Sequence, residues 1–375
     1  MTNNTTLKLV DFSMDLFKNC VKNDKNNNVL VSPFSLLYAL GIAANGAVGE
    51  TKSEMEKLWG VPTEELNQYL YEYAQSLPQD GDCTFKIANS LWVNPEDGLT
   101  LSQDFLEKNK SYYDALVVRE PFNDGCKDKI NGWVKEKTDG MIDKVVDSFS
   151  DADMLLLLNA LAFNAKWEKS RMKIEEQIFT AWDGTAQNAR MMFSSERDYL
   201  SDEHASGFLK FYNNSRFAFA ALLPDESTNI NDYLSELTGE KLRTILSTVQ
   251  KAEVRVKLPI FTIEAQYSNL KETLKEMGMV KAFSGEADFS GLLTAVGEDT
   301  VVDENLNINE IQQKTFITVN EYGTKLSALV GACMSRSLRP EPKSVVLNRP
   351  FVYMIIDREK NLPISMGVLM KLKKD

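Results

Sequence analysis

From Leu7 to Cys20 the apolar residues Leu7, Val10, Phe12, Leu16 and Phe17 fall near one stripe, the spacing of an amphipathic helix. In the next apolar block, residues 27–60, Ser32-Pro33 predicts a helix start, because proline suits a first turn whose N–H groups lack partners anyway. Leu36, Leu37, Leu40 and Ile42 to Ala44 are carried on that helix, and Gly46 and Gly49 are expected to close it. A further helix is expected over Thr63 to Ser76. The alternation of "FKIANSLWV" (85–93) predicts a strand ending at Asn94-Pro95. "INGWVKEKTDGMIDKVV" (130–146) predicts an amphipathic helix broken near Asp139-Gly140. "RFAFAALLPDE" and "AEVRVKLPIFTIEAQY" read as strands with turn punctuation. "SNLKETLKEMGMVKAF" (268–283) has Leu270, Leu274 and Met277 at helical spacing. The tail "PFVYMIIDREKNLPISMGVLMKL" predicts two strands around a charged turn at Asp357 to Asn361. Helices precede strands and no βαβ alternation or internal repeat is present, so the expected class is α+β with antiparallel or mixed sheets.

One segment fits neither an interior nor a surface. "VNEYGTKLSALVGACMSRSLRPEPKSVVLNRPF" (319–351) first alternates small and apolar residues like a buried strand, then runs into Ser335-Arg336-Ser337-Leu338-Arg339-Pro340, which reads as exposed bait. A segment of that kind suits a chain that is outside in one state and inside in another.

Composition narrows the function by exclusion. The chain has 375 residues, 43% hydrophobic and 26% charged, an ordinary globular balance compatible with one large domain or two. Its 42 basic and 54 acidic residues give a net charge of −12, which repels nucleic acid and anionic membrane, and no basic block offsets it locally. The longest apolar run, Met154 to Leu158 and on past Asn159 through Phe163, is about half the roughly 20 residues a membrane span needs, so it reads as a buried strand or helix. The N-terminus carries no signal-peptide pattern. The chain as given therefore reads as cytoplasmic, or as extracellular if a signal has been removed. Cys20, Cys83, Cys126 and Cys333 form no CxxC pair and read as free thiols rather than zinc ligands or a disulfide scaffold. The single histidine, His204, stands in the polar stretch 201–206 and cannot supply an HExxH site. A serine hydrolase would need that histidine, and no GxSxG appears. No GxxxxGK[ST] or GxGxxG follows a strand, so a phosphate cradle is missing. No metal and no cofactor are expected, and no catalytic residue is assigned.

Several separated blocks, in order, resemble the serpins. "NNVLVSPFSLLYALGIAANGAVGET" is similar to that family's buried helix B, "INGWVKEKTDGMI" to the helix lying across its main sheet, and "NALAFNAKWE" to the strand carrying its Asn and Trp, here Asn159 and Trp167. "LPIFTIEAQYSNLKETLKEMGMVKAFSGEADFSGL" and "VNEYGT…NRPFVYMI…MGV" match the C-terminal half. The resemblance spans essentially the whole chain. It implies a serpin fold of three β-sheets and about nine helices, a single domain over 1–375, and an exposed reactive loop at about 321–347. Where many members carry a histidine, this chain has Gln313, which the resemblance places beside Ser32, Ser35 and Asn159. Glutamine still donates and accepts hydrogen bonds, so the cluster is expected to persist without its titrating member. Helix capping is the plainer role for Ser32 and Ser35.

The resemblance makes Glu321, Gly323, Thr324, Leu326, Ala328 and Val330 the hinge of the loop. Where relatives carry a run of alanines, this chain has Lys325 to Val330, so its ability to insert as a strand needs a physical check. Strand side chains alternate, and with Thr324 inward the inward set is Leu326, Ala328, Val330, Ala332 and Met334, all uncharged. The outward set carries Lys325 on the solvent side, and a one-residue slip would bury that charge. Counted from Glu321 as in the family, the scissile bond falls at Ser337–Leu338, suiting an elastase- or subtilisin-like protease. Arg336–Ser337 is the runner-up and suits a trypsin-like one. Counting back from Asn348-Arg349-Pro350 gives Arg339–Pro340, which proline makes a poor substrate. The implied function is suicide-substrate inhibition by a monomer, with the target serine protease as covalent partner. A non-inhibitory serpin-fold binding or carrier protein is the second reading, and a hydrolase built on His204 the third.

Overall fold

The computed structural model describes residues 3–373 except 79, 95–99, 141, 151–152, 154, 169–171, 268–269, 295–305, 309–310, 312 and 325–340. The first part of the chain is mainly helical: α1 (Asn3–Asn23), β1 (Val29–Val31), α2 (Pro33–Ala44), α3 (Gly49–Trp59), α4 (Thr63–Ser76), β2 (Cys83–Val93), α5 (Gln103–Tyr113), β3 (Leu116–Arg119) and α6 (Asp124–Lys137). Strands then dominate, with β4 (Leu155–Lys166), β5 (Lys173–Thr180), β6 (Ala186–Ser201), β7 (Ala205–Phe211) and β8 (Phe217–Pro224). After α7 (Ile230–Glu236) and α8 (Gly239–Ser247) come β9 (Gln250–Pro259), β10 (Phe261–Tyr267) and α9 (Leu270–Glu276). The chain closes with β11 (Gln313–Val319), β12 (Gly323–Thr324), β13 (Lys343–Val346), β14 (Phe351–Asp357) and β15 (Leu362–Leu369).

The strands form three sheets. Nine lie in one, along the path β1-β15-β14-β8-β7-β6-β9-β13 with β5 on β6; four form β12-β4-β2-β3; β10 and β11 pair alone. Every residue of β8 and β14 is buried, as continuous apolar strands covered on both faces should be. The helix α2 is buried along nearly its whole length because it lies between two sheets: Ser32 at its head bonds to Ile364 of β15, and Ser35 bonds to Asn159 of β4.

Three expectations are corrected. Gly49 does not end a helix but begins α3, with φ +56 making the turn between the two helices. The helix expected over 130–146 starts earlier, at Asp124 behind the N-cap Asn123, and ends at Lys137. Asp139 and Gly140 follow with φ 51 and 75, successive left-handed residues that a right-handed helix cannot contain. Among the described residues the helix expected over 268–283 covers Leu270–Glu276 and stops short of its expected end, because Gly278 at φ 103 turns the chain into a short 3₁₀ turn, Lys281–Phe283. The run after Met154 is the strand β4.

Gly41, in the middle of α2, shows packing overruling propensity. A Cβ there would lie 2.1 Å from the hydroxyl of Tyr113, which donates to Asn67 Oδ1 at 2.6 Å. Helix propensity alone would reward Gly41→Ala by about 1 kcal/mol. We expect the opposite sign, a loss of about 1–3 kcal/mol as the buried ring is pushed off its partner, measured by denaturant unfolding.

Candidate functional site

Two strands from different sheets converge on the first turn of α2. Ser32 N–H donates to Gln313 Oε1 at 3.1 Å, and Gln313 Nε2 donates back to the Ser32 carbonyl at 2.9 Å, so β11 is clamped to the helix head by a two-way amide contact. Ser32 Oγ accepts the Ser35 N–H (3.2 Å) and donates to the Ile364 carbonyl (2.9 Å), so the hydroxyl both caps α2 and ties it to β15. The Ser35 hydroxyl donates to Asn159 Oδ1. Asn159 Nδ2 continues to Asn89 Oδ1 at 2.7 Å, and Asn89 Nδ2 to the Tyr113 carbonyl at 2.6 Å. The polar chain thus runs from β11 through α2 to β4, β2 and the end of α5. Asn89 and Tyr113 were not singled out from sequence; Asn89 sits in an alternating strand where nothing but its inward parity marks it.

Every group in this chain is a serine, an amide or a backbone atom, so its cohesion is all hydrogen bonding. Truncating Gln313, which is 7% exposed, strands the Ser32 N–H, while the Ser32 carbonyl keeps the Leu36 N–H at 3.1 Å. Gln313→Ala is expected to cost about 1–3 kcal/mol in unfolding free energy, the cost of one unpaired buried polar group.

At their other ends the same two strands meet around Trp167. Its indole Nε1 donates to the Asn320 carbonyl at 2.7 Å, and its backbone N–H donates to the Tyr322 carbonyl at 3.2 Å. Trp167 is 2% exposed and stacks on Tyr212, with centroids 4.6 Å apart. Asn320 and Gly323 bridge in a tight turn, so the chain leaving β11 reverses direction. Gly323 has φ 140, and a Cβ there would lie 2.2 Å from the Ala165 carbonyl; only glycine fits. Directly after it β12 pairs antiparallel with β4, Gly323 opposite Lys166 and Thr324 opposite Ala165. Glu321 is half-buried in the turn.

β4 and β11 therefore run in the same direction, from the head of α2 to Trp167, yet belong to separate sheets. β2 takes one edge of β4 over Leu155 to Ala165. On the other edge, among the described residues, only β12 pairs, at Ala165 and Lys166. β11 likewise has only β10 along its length. The inward face of this opening is set by Asn159, bonded to Ser35, by Phe163, packed on Phe85 and Tyr212, and by Ala165, fully buried. The outward face is not all solvent, as the sequence suggested. Near its start β4 lies under α6, where Leu156 and Leu158 join Trp92, Cys126, Ile130, Val134, Ile142 and Val146 in a separate apolar cluster.

The structure thus brings Ser32, Ser35, Asn159 and Gln313 together at one end of the opening and Trp167, Glu321, Gly323 and the backbone of Thr324 at the other. Leu326, Ala328, Val330, Cys333, Arg336, Ser337 and Leu338 lie outside the described residues. His204 is exposed in a turn, its N–H bonded to Asp202 Oδ1 at 2.8 Å, and lies in neither group. Burial pushes the thiols of Cys20 and Cys83 up to about 12, which makes them poor nucleophiles. Among the described residues no three His, Cys, Asp or Glu side chains are grouped to hold a metal ion.

A chain reversal that opens onto an unpaired strand edge is one arrangement among many, and comparison identifies it. Residues 8–372 match the family described as Serpin (serine protease inhibitor). The chain belongs to the serpins. Among serpins it is similar to an uncharacterised serpin-like protein of Thermococcus kodakarensis, 30% identical and covering 96% of this chain and 84% of that one. It is 28% identical to the leukocyte elastase inhibitor of Bos taurus, covering 96% and 97%. The native-state crystal structure of a thermophilic serpin, tengpin, superposes with a TM-score of 0.91 at 38% identity, covering 99% and 95%. The fold, with nine α-helices among the described residues and three sheets, is that of the serpins, whose members act on proteases as inhibitors rather than as catalysts.

Proposed function

We propose that this serpin is a suicide-substrate inhibitor of serine proteases, acting as a single-domain monomer. The observation that carries the reading is β12, already turned back and paired on β4 at the end of an edge that has no other partner among the described residues. Continuing that antiparallel register, each residue forward in the loop faces one residue back in β4. Leu326 would lie opposite Phe163, Ala328 opposite Leu161, Val330 opposite Asn159 and Met334 opposite Leu155, on the inward face that Ala165 and Phe163 define. Lys325 falls on the outward face, opposite Asn164. The uncharged alternate positions and the observed parity of β4 thus agree, and Leu326, where the family carries an alanine, is compatible with burial on that face.

In this mechanism a protease serine attacks the carbonyl of Ser337 and the Ser337–Leu338 bond breaks. Residues up to 337 stay esterified to the enzyme while the freed segment adds to β4 rung by rung. The protease travels with it toward the head of α2, about 43 Å for the thirteen residues from Thr324 to Arg336 at ~3.3 Å each. The serpin supplies bait and conformational energy, and the reacting groups belong to the target. Serine at the primary position suits an elastase- or subtilisin-like pocket, and the similarity to a leukocyte elastase inhibitor favours the same class. Cleavage at Arg336–Ser337 by a trypsin-like enzyme is the alternative.

The test is incubation with elastase, subtilisin and trypsin, followed by denaturing electrophoresis and sequencing of the released C-terminal peptide. A detergent-resistant adduct and a peptide beginning at Leu338 are expected. Clean cleavage by all three with no adduct would mean the loop is merely a substrate, and a peptide beginning at Ser337 would move the bond to Arg336.

A further inference from the structure

A buried ion pair lies behind Trp167. Lys210 is 2% exposed in β7, and its Nζ meets Glu196 Oε1 of β6 at 2.7 Å. The same carboxylate oxygen accepts the hydroxyl of Ser194 at 2.6 Å. Lys210 Nζ also stands over the Trp167 indole, 5.0 Å from its centroid. A lysine this deep is expensive unless its charge is used, and here it has one carboxylate and one π face. Next to it Arg197 pairs with Glu168 at 3.3 Å and lies over Phe211 at 4.5 Å; these residues, with Lys210 and Glu196, line a small cleft. The cleft's two cations and two carboxylates are already matched, so it reads as an internal brace rather than a binding site.

What the brace holds is the hinge. Trp167 connects to it at three points: the indole N–H on the Asn320 carbonyl, the backbone N–H on the Tyr322 carbonyl, and the preceding Lys166 opposite Gly323. From this geometry we infer that Lys210 and Glu196 are positioning residues for loop insertion: they fix the indole plane, which fixes the reversed turn 320–323 and keeps the first two rungs on β4 formed before any protease arrives. The inference rests on the inhibitory reading. Its effect falls on the partition after acylation, when insertion competes with hydrolysis, and not on how fast the loop is cut.

Lys210→Met alone leaves Glu196 buried without its partner, so the double variant with Glu196→Gln is made beside it, with Lys210→Arg as the conservative control. Each is mixed with the protease that forms an adduct with the wild type. The expected result for Lys210→Met and for the double variant is a fall on the order of tenfold in the ratio of trapped to released protease, with an unchanged rate of loop cleavage, and recovery in Lys210→Arg. In parallel, hydrogen exchange of the Trp167 indole N–H is followed by NMR; it should be slow in the wild type and Lys210→Arg, and at least tenfold faster in the double variant. An unchanged partition together with unchanged indole exchange in a folded double variant would overturn the assignment. If the wild type forms no adduct with any protease, the inhibitory reading has failed, and the indole exchange alone then decides whether the pair holds the hinge.

Discussion

Replacing Thr324 with arginine is expected to turn the protein from inhibitor to substrate. The backbone of Thr324 sits opposite Ala165, a fully buried residue on the inward face of β4. Antiparallel partners directly opposite each other share a face, so an arginine there is closed over on the inward side as the residues after it add to β4. The neighbouring inward side chains of β4, Phe163 and Ala165, offer it no carboxylate, and burying an unpaired charge costs several kcal/mol. Even about 3 kcal/mol on the insertion step shifts the partition by more than a hundredfold. Denaturing gels should show cleaved serpin and free, active protease in place of adduct. Retention of wild-type stoichiometry by Thr324→Arg would mean that the loop does not follow the register begun by β12.

Cutting the loop should make the molecule markedly harder to melt. Insertion along β4 removes Leu326, Val330 and Met334 from water, worth roughly 1.5–3 kcal/mol each, and closes the unpaired edges of β4 and β11. At about 2.1 cal/mol/K per residue, each kcal/mol moves the midpoint by about 1.3 °C in a chain of this size, so these side chains give an expected rise of roughly 6–12 °C by differential scanning calorimetry. A cleaved form that melts with the intact one would favour a serpin-fold carrier over an inhibitor.

Much of the site was legible because its parts obey short-range rules. Ser32-Pro33 announced the head of α2 through capping chemistry, and the alternation after Thr324 carried its own face assignment. The rest depended on contacts between distant segments. Asn89 joins the polar chain only because β2 pairs residue for residue with β4, and Lys210 looks like a surface lysine until β6 brings Glu196 and β4 brings Trp167 against it. The hairpins of β5, β6 and β7 were missed for a related reason: β5 alternates weakly, its only partner is β6, and its burial pattern is mostly mixed. The shortened α9 shows the reverse case, apolar spacing that persists past a glycine which the backbone uses to turn.

Both ends of the segment 325–342 are moored at the same end of the molecule. Thr324 is held on β4 beside Trp167, and Lys343 opens β13 opposite Val254, itself opposite Glu196. With both moorings fast, an uncut segment descending along β4 must also come back up, so no more than about nine residues, or ~30 Å, can go down. The intact tether is therefore too short to reach the bottom of its own track, and in the proposed mechanism peptide-bond scission is the release that extends its reach from ~30 Å to about 43 Å.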